Sequence, residues 1–229
     1  AGTLLPVASG NPADQPERWP VRRRTVTHRG AVLSLRVDEV AAPDGSRLLR
    51  EAVVHPGAVG IVALDEDDRM LLVRQYRHAV GQRLLQAPAG LLDVPDEDPL
   101  TTAQRELYEE GHVTAARWRV LVDYLASPGS STEAVRIYLA EQLDVVPEEH
   151  RFPAEHEEAD MDVVWVPLQR VVDGVLAGTV QDALLALGVL ACWTARHRAT
   201  AQSQTGAERA PLGRPAGAPW PTRDGLLRH

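Results

Sequence analysis

A chain of 229 residues with 44% hydrophobic and 24% charged side chains has the balance of a water-soluble folded protein with a sizeable core. Its formal net charge of -8 argues against nucleic-acid binding, which needs a basic surface to meet phosphates. The single Cys192 excludes a disulfide within the chain and fits a reducing, cytoplasmic setting, and no apolar stretch reaches the ~18 residues of a membrane span.

Residues 1–20, AGTLLPVASGNPADQPERWP, are rich in Pro and Gly without periodicity and are expected to be disordered or an arm. Residues 21–55 read as an N-terminal β region: AVLSLRVDEVAA (31–42) and RLLREAVVH (47–55) alternate apolar and polar around PDG, a hairpin signature. AVGIVALDEDDRMLLVRQYR (58–77) gives two buried-type strands around an acidic turn at 65–68. LLQAPAGLLD follows, and then a helix from about Pro99 to Glu110. RWRVLVDYLASP (117–128), EAVRIYLAEQL (133–143) and MDVVWVPL (161–168) read as strands. LQRVVDGVLAG and VQDALLALGVLACWTARH read as helices, the second with apolar positions on the 3.6-residue period. Residues 199–229 return to a low-complexity composition and are expected to form a tail. The order predicts an α+β fold, a mixed β-sheet sandwiched between helices, with residues 56–198 as the main domain.

The stretch GLLDVPDEDPLTTAQRELYEEGHV (90–113) carries the chemistry. Glu106, Glu109 and Glu110 stand three and four apart, so on a helix they share one face, where like charges repel. Arg105 and Tyr108 fall off that face, and Ala103 and Leu107 point to the core. The three carboxylates call for a counter-charge from outside the chain. They offer oxygen ligands to a hard divalent cation such as Mg²⁺; on spacing alone, a solvated acidic face is the competing reading.

Written as a pattern, the stretch is G-x₆-E-x₇-R-E-L-x-E-E-x-H-V, which resembles the Nudix box, G-x₅-E-x₇-R-E-U-x-E-E-x-G-U, where U is bulky and apolar. It departs by one extra residue between Gly90 and Glu97 and by His112 at the second glycine position. Because Gly111 comes one residue earlier, the helix is expected to end at Glu110 with Gly111 in the left-handed conformation, and His112 to be extended with its ring near the last helix carbonyls, where a cation is favoured. The flanks resemble the ADP-ribose pyrophosphatase branch: the APAGLLD entry, the VRQYR segment (73–77), the acidic HEEADM (156–161), and Pro128 of SPGSSTE, sixteen positions beyond His112.

The resemblance implies a Nudix fold over roughly residues 25–198 and hydrolysis of a nucleoside diphosphate sugar with Mg²⁺, Mn²⁺ being the alternative. It implies metal ligation by Glu106, Glu109, Glu110 and the Ala89 carbonyl. Glu97 either joins them or only orients the loop, the second being preferred. Arg105 would brace a carboxylate such as Glu97 or Glu109. Glu157 is the first choice of general base and Glu158 the second. Arg74, Arg77, Gln86, Pro128, Gly129 and Glu133 are the candidate substrate contacts. The branch is usually a homodimer, so residues 21–55 are expected to dimerise. Gln86 where the branch has an acid, and Ser130 and Thr132 where it has Phe and Asp, affect substrate choice before metal chemistry. His55, His78 and His156 lack zinc spacing, and Trp118 and Trp165 read as packing aromatics. The expected activity is release of AMP and a sugar phosphate from ADP-ribose or a related ADP-sugar. The alternatives are hydrolysis of another nucleoside diphosphate compound and a ligand-binding regulator without turnover.

Overall fold

The computed structural model describes residues 11–152, 160–204 and 212–227. Residues 11–20 are exposed and take no regular structure. The alternating stretches form the expected hairpin, β2 (Ser34–Ala41) and β3 (Arg47–Val54). A strand the alternation did not reveal, β1 (Val21–Arg29), pairs antiparallel with β2. Its sequence VRRRTVTHR is exposed throughout, so no buried face left a period-two signal. These strands form a sheet of their own in the order β1-β2-β3.

The main body is built around β4 (Ala58–Ala63), whose six residues AVGIVA are all buried, as befits a strand covered on both faces. It pairs parallel with β9 (Ala134–Val145) and antiparallel with the short β7 (Ala89–Leu91). With β8 (Val113–Leu125) and the two-residue β11 (Arg214–Pro215) they form a sheet in the order β11-β8-β9-β4-β7. A smaller sheet runs β10-β5-β6, from β10 (Asp162–Pro167), β5 (Arg69–Arg77) and β6 (Gln82–Gln86). Helix α1 (Pro99–Gly111) buries Ala103 and Leu107 against Val59, Ile61, Leu71 and Tyr138. Helices α2 (Leu168–Leu176) and α3 (Ala183–Gln204) bury Val171, Leu185 and Val189 against Val62, Leu72, Ile137 and Leu139. The period of two along β9 sends Tyr138 to α1 and Ile137 and Leu139 to the other layer. A mixed sheet flanked by helices, with an antiparallel N-terminal sheet, is thus the observed fold.

Two expectations are corrected. The tail is not uniformly unstructured: β11 pairs with β8, α4 (Pro221–Leu227) follows, and Trp220 is 5% exposed within the α1 core. The buried Arg136 holds this segment. Its guanidinium lies 4.6 Å from the Trp220 ring centroid and donates to the carbonyls of Ala218 (2.8 Å) and Pro219 (3.1 Å). Asp123 supplies its counter-charge at 2.7 Å. Low-complexity composition hid a single aromatic anchor whose burial depends on a cation from β9.

The second correction concerns the end of α1. The expected arrangement ended the helix at Glu110 with Gly111 in the left-handed conformation. Instead α1 runs through Gly111, and His112 is the left-handed cap, with φ 53° and its N–H donating to the Tyr108 carbonyl at 3.2 Å. Gly111 is fixed by packing: a Cβ there would lie 3.2 Å from a Leu71 methyl and 3.3 Å from a Leu107 methyl. Burial and the Arg151 charge also push the His112 imidazole below its ordinary value, so it is not the favoured cation expected at a helix C-terminus.

Candidate active site

Helix α1 starts sharply. Asp98 caps it by accepting from the Leu100 N–H at 3.0 Å, and Pro99 occupies the first turn where no N–H is needed. Burial of Leu107, of the order of ~2 kcal/mol, pins the inner face, so the acidic face is held against β7.

Glu106 lies over Gly90, where a Cβ would come 2.2 Å from its Oε1. Glycine is required at that position for the carboxylate to approach the backbone of β7. Glu110, 8% exposed, accepts from the Ala89 N–H at 3.0 Å. The register explains why this N–H is available. Ile61 bonds the Pro88 carbonyl and Leu92 bonds the Gly57 carbonyl, so the intervening Gly60–Ala89 pair is a non-hydrogen-bonded one. The N–H and C=O of Ala89 therefore both face away from β4, at the sheet edge.

Part of the counter-charge is internal, which corrects the placement of Arg105 off the acidic face. Its long side chain reaches onto that face: Nη1 donates to Glu106 Oε1 at 2.8 Å and to Glu109 Oε2 at 3.2 Å. Nε and Nη2 go to Glu97 at 3.3 and 3.2 Å, and Glu97 also accepts from the Thr102 hydroxyl at 2.7 Å. The Arg105 guanidinium, with Thr102, holds the Glu97 carboxyl below the usual carboxylate range, and Glu97 in turn pushes Arg105 further up. Among the described residues no group of three His, Cys, Asp or Glu already converges to grip a metal ion, because Glu106 and Glu109 converge on Arg105 instead. The donor set nevertheless suits a hard divalent cation. Glu97, Glu106 and Glu109 share one guanidinium, Glu110 adds a further carboxylate at the β7 edge, and every candidate ligand is an oxygen.

The substrate candidates fall into separate groups. Arg74 and Arg77 are three apart on β5 and so face opposite sides; Arg74 is exposed, while Arg77 donates from Nε to Gln86 Oε1 at 2.6 Å. Gln86, 8% exposed, leads along the chain into Ala89. The Ser127–Ser131 turn holding Pro128 and Gly129 is bonded to the N-terminal sheet: Val53 N–H to the Ser130 carbonyl at 2.8 Å, Thr132 N–H to the Val53 carbonyl at 3.0 Å. These backbone bonds tie the turn to β3 rather than to α1. Glu133 lies 3.9 Å from His55 Nε2, and His55 Nδ1 accepts from the Gly57 N–H. Burial raises the Tyr124 phenol, and the charges of Asp182 and Glu133 raise it further, so this turn and the Gln86 region share a neighbour. Glu157, Glu158 and His156 lie outside the described residues. Asp182, absent from the candidates drawn from the sequence, bonds Gln86 and caps α3; its position just before an apolar helical run was a visible capping signal.

A family model described as NUDIX domain matches residues 54–184. The ADP-ribose pyrophosphatase of Mycobacterium tuberculosis (strain ATCC 25618 / H37Rv) is 48% identical over 166 residues, covering 72% of this chain and 78% of that protein. The ADP-ribose pyrophosphatase of Bacillus subtilis (strain 168) is 34% identical over 160 residues, covering 70% and 84%. A solved structure described as an ADP compounds hydrolase superposes with a TM-score of 0.66 at 21% identity, over 84% of this chain and 100% of that one, a likeness of fold.

Proposed function

The chain belongs to the NUDIX domain family, and from that premise we propose that it hydrolyses the pyrophosphate bond of ADP-ribose or a related ADP-sugar, releasing AMP and a sugar phosphate. The observation that carries the reading is the α1 cluster: Glu97, Glu106, Glu109 and Glu110 gathered on one guanidinium and one strand edge. The named activity of the two relatives, both covered over more than two thirds of their length, supports the substrate class.

Family membership implies a divalent-metal mechanism. On this reading Glu106, Glu109, Glu110 and the Ala89 carbonyl would hold Mg²⁺, or Mn²⁺ in its place. When bound, the ion neutralises charge on the diphosphate and lowers the pKa of a water. The chain's own residues do the rest. Glu97 fixes Arg105 through two of its nitrogens, and Arg105 keeps Glu106 and Glu109 aligned. Arg77, with Nε already committed to Gln86, turns its terminal nitrogens to the diphosphate. Glu157, with Glu158 as the alternative, takes the proton of the attacking water. Arg74, exposed on the other face of β5, would meet a more distal part of the substrate, as would Pro128, Gly129 and Glu133.

The N-terminal sheet supports a homodimer. Val21, Val26, Leu35 and Leu49 on the sheet, and Leu33 in its β1–β2 turn, are exposed, and the sheet is fastened to the main body through the Ser127–Ser131 turn. A second copy covering them would bring the partner's sheet close to that turn, and so to the proposed substrate side of the site.

The test is a panel of nucleoside diphosphate sugars and nucleoside triphosphates with Mg²⁺, reading released AMP and phosphomonoester. ADP-ribose should rank first or near first. Faster turnover of a triphosphate than of any ADP-sugar would refute the reading.

A further inference from the structure

Gln86 sits between two partners of opposite character. Its Oε1 accepts from Arg77 Nε at 2.6 Å, and its Nε2 donates to Asp182 Oδ2 at 2.6 Å. An arginine nitrogen only donates and a carboxylate only accepts, so the amide has one orientation that satisfies both. The other oxygen of Asp182 accepts from the Leu185 N–H at 2.8 Å, capping α3. The chain of bonds therefore runs from the first turn of α3 through a buried amide to the ε-nitrogen of a half-buried arginine.

We propose that Asp182 is a positioning residue: acting through Gln86, it fixes the orientation of Arg77 and leaves the two terminal guanidinium nitrogens for the diphosphate of the substrate. The proposal rests on the reading of Arg77 as a diphosphate contact. It explains why an amide stands at position 86. A carboxylate there would meet Asp182 Oδ2 at the present 2.6 Å, and two charged oxygens do not share that distance.

The polarity of the relay supplies the test, because Asp182→Asn separates its two roles. The asparagine oxygen keeps the cap on the Leu185 N–H, so α3 and the thermal midpoint should be preserved. Its amide faces the Gln86 amide, donor against donor. Gln86 turns over to accept from it, and its own NH₂ then confronts Arg77 Nε, which is released. The expected result is a rise in KM for ADP-ribose of about tenfold with kcat changed much less, the loss of an anchored charge-assisted contact. The double variant Q86E/D182N reverses the polarity: the carboxylate introduced at position 86 accepts both from Arg77 and from the amide introduced at position 182. Its KM should return to within about twofold of the wild type, since both hydrogen bonds are re-formed.

A cap-only role for Asp182 predicts a silent D182N and no rescue. Wild-type KM in D182N, or a double variant no better than D182N, overturns the relay. Should the wild type turn over none of the diphosphate compounds, the functional reading fails on its own. The relay is then decided by calorimetric binding of ADP to the same three proteins, with the same order of affinities expected and equal affinities refuting it.

Discussion

Replacing His112 by glycine should stabilise the protein, and the gain should grow as the pH falls. A side chain at φ 53° carries the left-handed penalty, about 1–2 kcal/mol for an ordinary residue and at the lower end for His. Nδ1 of His112 is buried without a hydrogen-bond partner, which adds ~1 kcal/mol, the low end of the cost of an unsatisfied polar atom. Against these stand the extra freedom of glycine in the unfolded chain, ~0.5–1 kcal/mol, and the apolar contact of a half-buried ring, of similar size. The net is a gain of about 0–1 kcal/mol, or up to ~4 °C in the thermal midpoint of a chain this long. The pH dependence has a definite sign. Burial and Arg151 hold the folded-state pKa of His112 below its ordinary 6.5. The unfolded state then binds more protons as the pH falls below about 6.5, so the wild type loses stability there until its folded pKa is passed. H112G has no such loss. Thermal unfolding at pH 8 and pH 5 should show H112G ahead at both, and by more at pH 5. A less stable variant at pH 8, or a gap independent of pH, would refute the argument. Moving the glycine rather than adding one should fail: G111T/H112G places a branched side chain against Leu71 and Leu107, an overpacking cost of ~1–3 kcal/mol that cancels the gain.

Glu109→Gln or Glu110→Gln should remove most turnover and shrink the Mg²⁺-induced rise in thermal midpoint, while the metal-free midpoint stays level or rises; a large metal-free loss with activity retained would make the cluster structural. Glu157→Gln should lower kcat by ~10²–10⁴-fold with little change in substrate or Mg²⁺ affinity, and damage from Glu158→Gln in its place would reverse the order of the two candidates. Trp220→Ala should cost ~3–5 kcal/mol in urea unfolding, because the ring is buried and Arg136 loses its cover; a change below ~1 kcal/mol would mean that the tail only rests on the domain. Sedimentation should give twice the 25.0 kDa of one chain, and Leu49→Asp with Leu35→Asp should reduce it to one, whereas a monomeric wild type would end the dimer proposal.

What was legible in the sequence was whatever one element decides alone. The six apolar residues of β4, the period of two in β2 and β3, and the Asp98-Pro99 start of α1 are local signals, and each element stands where they put it. The relative placement of Glu106, Glu109 and Glu110 was equally legible, since it follows from helix geometry. What failed depended on a neighbour from far along the chain. Gly111 looked like the helix terminator until Leu71 showed why it must lie inside the helix. Trp220 sat in a Pro- and Gly-rich tail with nothing nearby to reveal Arg136 as its partner. Asp182 announced itself as a cap, but its bond to Gln86 crosses 96 positions.

Arg105 changes how the acidic face is to be understood. Without an internal cation, three carboxylates on one helix face would repel one another and fray the helix that carries them. With it, the face holds together before any metal arrives, and the geometry indicates what would follow. Nη1 alone serves Glu106 and Glu109, whereas Nε and Nη2 are both committed to Glu97. On the proposed reading, Glu106 and Glu109 would hold the metal while Glu97, fixed by Thr102, keeps the guanidinium in place. On that reading Glu97 would serve Arg105 rather than the metal. Its carboxylate, already held below the usual range, sustains that brace as the pH falls below its ordinary pKa and gives it up only on passing the depressed one.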